Sequence, residues 1–156
     1  MAWTAPRTWT VGELVTASMM NSNVRDNIGY LGGSAAATVA AAETPAGTSF
    51  AAMTTAGPVV TTTTGTKALV LMSAEFYALT DSAYMSFAVS GASTIAASND
   101  NSINFTHMAG GYTVKLGGSI YLSGLTAGTN VFTAQYAKSA GSPTIGYRHL
   151  TVIPLT

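Results

Sequence analysis

Tyr84-Met85-Ser86-Phe87-Ala88-Val89-Ser90 places a large apolar side chain at every second residue, with Met85, Phe87 and Val89 separated by small or polar neighbours. Successive side chains of an extended strand point to opposite faces, so this stretch reads as a strand with one buried face. The same period of two recurs on either side. Ile103, Phe105 and His107 alternate with Asn104 and Thr106, and Tyr112, Val114 and Leu116 alternate with Thr113 and Lys115. Lys67 to Leu79 holds the continuous run Ala68-Leu69-Val70-Leu71-Met72, the pattern of a strand covered on both faces. Asn130 to Ala137 and Thr144 to Ile153 supply two more strands. Turn-forming residues punctuate the runs: Thr80-Asp81-Ser82, Ser98 to Asn101, Gly110-Gly111, Gly117-Gly118, Thr126-Ala127-Gly128 and Ser139 to Ser142. Seven or eight strands at this spacing predict a mainly β fold, an antiparallel sandwich starting at Pro58.

The N-terminal third follows a different period. Met20, Val24, Ile28 and Leu31 are spaced by four, four and three residues, which at ~3.6 residues per turn gathers them in an arc of about 80°. Thr16 or Ser18 can cap such a helix through its hydroxyl, and Gly32-Gly33 can end it in a left-handed turn. The expected helix spans about 17 to 31. Ser34 to Gly57, rich in Ala, Thr and Gly, has few large side chains with which to cover that stripe and reads as a connector. The expected organisation is therefore an anchor arm over 1–33, a connector over 34–57 and a β domain over 58–156.

Composition narrows the function. The chain has 156 residues, of which 8% are charged, and six basic residues balance six acidic ones. An ordinary soluble protein carries ~25% charged residues, and a nucleic-acid binder needs a basic face; neither pattern is present. Zero net charge removes the repulsion that keeps small domains apart, so association is expected. The chain has no cysteine, which excludes disulfides, thiolate nucleophiles and cysteine-based metal centres. The uncharged stretches Thr44 to Thr66 and Leu116 to Ala137 are interrupted by Gly, Thr, Ser and Asn, so neither matches a ~20-residue apolar membrane span. Trp3, Pro6 and Trp9 stand where a secretion signal needs an apolar core, and no such signal is expected.

Trp9-Thr-Val-Gly-Glu13-Leu-Val-Thr16-Ala-Ser-Met-Met-Asn21-Ser-Asn-Val-Arg25-Asp26-Asn27-Ile-Gly-Tyr-Leu31 resembles the W-x-x-G-E-x-x-T-A-x-x-x-N-x-x-x-R-D-N-x-x-x-L opening of many tailed-bacteriophage virion proteins. Leu125 to Tyr136 and Arg148 to Leu155 resemble the last strands of TNF/C1q-like jelly-roll domains in phage fibre and head-decoration proteins. These resemblances imply a non-enzymatic structural protein of the virion, a capsid decoration or head fibre. They also imply a homotrimeric jelly roll and an N-terminal arm gripping the major capsid protein or another virion structural protein. Aromatic candidates for the three-fold axis are Phe76, Tyr77, Tyr84, Tyr121, Tyr136 and Tyr147. Candidate anchor residues are Trp3, Trp9, Met20, Val24, Arg25, Asp26, Asn27, Ile28 and Leu31, combining large apolar groups with a guanidinium and a carboxylate beside the stripe. A tail-tip or tail-fibre module that binds a host-surface glycan or protein is the alternative, and a polar loop cluster such as Asn99 to Asn104 would support it.

A catalytic reading has little material. The two histidines, His107 and His149, fall in expected strands with no carboxylate or second histidine at an orienting spacing, so each is expected as a core or interface imidazole. Asn99-Asp100-Asn101-Ser102 lacks the Gly and Glu of a calcium loop and reads as a turn. Asn104-Phe105-Thr106 matches a glycosylation acceptor only by composition. A jelly-roll lectin or glycan-active enzyme is a further alternative; the enzyme needs paired carboxylates across a cleft, and six acids leave few to pair. No metal, cofactor, nucleic acid or membrane partner is expected.

Overall fold

The computed structural model describes residues 7–25, 33–78, 81–106 and 111–155. Eight strands run through it: β1 Ala35–Val39, β2 Val59–Thr64, β3 Lys67–Ala78, β4 Ser82–Gly91, β5 Ile103–Thr106, β6 Tyr112–Ser123, β7 Gly128–Lys138 and β8 Thr144–Leu155. They form two four-stranded sheets in the orders β1-β8-β3-β6 and β2-β7-β4-β5, with every pairing antiparallel. The fold is mainly β and sandwich-like.

Alternation positions the core. Ala68, Val70, Met72, Ala74, Phe76 and Ala78 of β3 are all buried, as are Met85, Phe87 and Val89 of β4 and Phe132, Ala134 and Tyr136 of β7. Each fully buried large apolar side chain is worth ~1.5–3 kcal/mol, so the inward face of every long strand fixes its register against a one-residue slip. Phe87 and Phe132 meet at 6.1 Å between ring centroids across neighbouring strands. Ile103 and Phe105 also point inward, as their alternation requires, while His107 lies outside the described residues.

Three expectations are corrected. The run Ala68 to Met72 is buried on one face only, because β3 lies in a sheet whose outward face is open; Leu69 and Leu71 are half-buried there. Gly117-Gly118 is not a turn but the middle of β6, opposite Ser73 and Met72. Close approach explains the glycines: a Cβ on Gly118 would meet Ile103 Cγ2 at 2.7 Å and one on Gly117 would meet Met72 O at 3.3 Å. The segment read as a connector also supplies β1, and its remainder is bonded to the sandwich. Glu43 pairs with Ile145 and Ala51 with Tyr136, and Lys138 N–H donates to Gly47 O at 3.0 Å. Residues 40–57 thus run along the edges of both sheets as an irregular strap.

Beyond β4, the 92–102 segment folds back, pairing Ile95 with Val89. Its short 3-10 turn, Asn99–Asn101, is the turn expected at that run. Ser86 Oγ donates to Ser98 O at 3.0 Å and Asn101 O at 2.9 Å, which satisfies a hydroxyl that the segment buries.

Candidate functional site

The arm is organised locally. Glu13 is its hub: its carboxylate accepts from Thr10 N and Thr10 Oγ1 and is ion-paired with Arg7, whose guanidinium also lies 5.2 Å from the centroid of the Trp9 ring. Thr16 caps the following helical turn, α1 Ala17–Met20, by accepting the Met19 N–H at 3.2 Å. A π turn, Asn21–Arg25, continues it. The expected helix over 17–31 therefore starts with the expected cap, and 26–32 lies outside the described residues.

No residue of α1 or of the π turn is buried. Among the described residues ten large apolar side chains are exposed, and six of them, Trp9, Val11, Leu14, Val15, Met20 and Val24, fall in this short arm. Arg25 is exposed at the end of the π turn. Trp3, Asp26, Asn27, Ile28 and Leu31 lie outside the described residues.

The aromatic candidates divide. Phe76 and Tyr136 are inside the sandwich, at 0% and 1% exposure, and their inward strand positions remove them from any surface. Tyr77 and Tyr84 are half-buried, on the outward faces of the first and second sheets. Tyr121 and Tyr147 are exposed at 58% and 54%.

The outward face of the first sheet is built by register. Leu69 lies beside Ile153 and Tyr121, Leu71 beside Thr151 and Ser119, and Ser73 beside His149 and Gly117. Glu75 and Lys115 are neighbours on the same face. His149 is half-buried, with Nδ1 2.7 Å from Thr38 Oγ1 and Nε2 2.8 Å from Thr151 Oγ1. Two hydroxyls, which both donate and accept, fix the ring in either tautomer. Because Gly117 contributes no side chain, Leu71, Ser73, Ser119, His149 and Thr151 surround a shallow hollow of about 430 Å³.

A buried cluster that sequence reasoning missed ties the strap to the sandwich. Relative to β3, β8 carries one extra residue between Ser73↔His149 and Glu75↔Gly146, and Tyr147 there adopts φ 46°. Beside this bulge Arg148 points inward and is completely buried. Its Nη1 donates to Thr55 O at 3.3 Å and lies 3.0 Å from Met53 Sδ, while the guanidinium stacks 5.1 Å from the Tyr136 ring centroid. Nε and Nη2 have no hydrogen-bond partner among the described residues. Glu43 accepts the Thr55 N–H at 3.1 Å through both oxygens; hydrogen bonds from Thr55 hold its carboxyl below the usual range, and the Arg148 charge adds to them. The signal was present: Arg148 shares the inward parity of Leu150 and Val152.

Tyr136 donates its phenol proton to Gly57 O at 2.7 Å. Burial pushes this phenol up to about 12, opposed by the Arg148 charge. The folded state holds the proton more tightly than the unfolded chain, so this contribution to stability is whole below pH ~10 and is lost between ~10 and about 12. In an absorbance titration of the seven tyrosines, a component near pH 12 is expected that Tyr136→Phe removes; its persistence in that variant would contradict the assignment.

Among the described residues no group of three or more His, Cys, Asp or Glu gathers at one place, and no helix is long and apolar enough to cross a membrane. No protein-family model matches the chain, and no curated protein matches it.

Proposed function

We propose that this chain is a non-enzymatic structural protein of a tailed-phage virion, a capsid decoration or head-fibre protein held to the shell by its N-terminal arm. The observation that carries the reading is the concentration of exposed apolar side chains in the arm, against a sandwich that buries its own core. Isolated short helices are marginal in water, so a stripe of this kind is stabilised by a groove on a partner. We read the sandwich as a jelly roll that associates in threes. The strand orders β1-β8-β3-β6 and β2-β7-β4-β5, in which the chain passes repeatedly between the sheets and the last strand returns beside the first, support two interleaved Greek keys. The exposed polar residues Asn99, Asp100, Asn104 and Thr106 favour a second reading, a tail-tip module for a host-surface glycan or protein.

The test is attachment to virions stripped of the protein. Met20→Asp plus Val24→Asp in the full chain is expected to weaken attachment more than a hundredfold, since each buried side chain is worth ~1.5–3 kcal/mol. The melting temperature should stay unchanged, because both side chains are exposed in the isolated chain. Removal of residues 1–33 is expected to abolish attachment and leave a folded sandwich, which starts at β1. Full occupancy by either variant would overturn the anchor. Many copies per particle fit a head decoration, and a few fit a tail tip.

A further inference from the structure

We draw no further inference here: the strongest candidate, the outward face of the β1-β8-β3-β6 sheet with its shallow hollow beside Gly117 and His149, carries nothing because nothing in the structure shows what covers it.

Discussion

Asn130→Leu is expected to remove about 3–5 kcal/mol of stability, since each buried group left unpaired costs ~1–3 kcal/mol. Asn130 is completely buried, yet its amide is fully used. Oδ1 accepts the Ser93 N–H at 2.7 Å, and Nδ2 donates to Thr64 Oγ1 at 2.8 Å and Thr126 O at 3.1 Å, with Gly128 O at 3.4 Å. These partners belong to the end of β2, the segment after β4 and the turn between β6 and β7. A second bond from the Thr126 N–H to Ser93 Oγ, 2.9 Å, closes the network. Leucine matches the volume but strands the Ser93 N–H, removes the donor to Thr64 Oγ1 and leaves the Thr126 carbonyl only the 3.5 Å bond from Ser93 Oγ. Asn130→Asp retains the acceptor for Ser93 but turns a donor into an oxygen facing the Thr126 and Gly128 carbonyls, and is expected to be no less damaging. Domains have ~5–15 kcal/mol in all, so urea midpoints should fall by about a fifth or more. A loss under ~1 kcal/mol for the leucine variant would mean that water replaces the amide, and the staple would not exist.

The sequence makes one half of such structures legible and hides the other. Met85, Phe87 and Val89 declare an inward face because burial is a property of single residues repeated at a fixed period, and the structure buries all three. Asn130 and Arg148 act through partners up to 95 residues away, Met53 being the most distant, and nothing in their own neighbourhood announces those partners. Glycine pairs are ambiguous for a related reason. The same residue serves a turn and a close strand crossing, and Gly118 is set by Ile103, which the chain brings near only through the sandwich. Alanine-rich Ala35–Val39 was hidden because a short edge strand needs little side-chain burial: its main chain pairs with β8, and Ala35 and Ala37 need only a small contact with the core. For the surfaces, the stripe through Met20 and Val24 was readable from spacing. The hollow was not, since it depends on three neighbouring strands placing Ser73, His149 and Gly117 in one row.

Arg148 should separate charge from volume. Arg148→Ala is expected to cost about 3–5 kcal/mol, the range for emptying a large buried site, whereas Arg148→Met should stay within ~1 kcal/mol of the parent or exceed it. The guanidinium is completely buried, two of its nitrogens lack partners among the described residues, and its bond to Thr55 O is long at 3.3 Å, so desolvation of the charge is poorly offset. Glu43, a carboxylate that feels its charge, is only half-buried and keeps its own bonds to Thr55 without the arginine. Methionine would retain the packing against Met53 and Tyr136 and discard the unpaired donors. Alanine instead leaves a void under the strap, whose 40–57 path depends on Met53 and Thr55 resting on Arg148. Thermolysin, which cuts beside large apolar residues, should therefore cleave Arg148→Ala near Phe50 and Met53 while the parent and Arg148→Met resist. Equal losses in the methionine and alanine variants would show that the charge itself holds the strap down, and its attraction to Glu43 would then outweigh the packing.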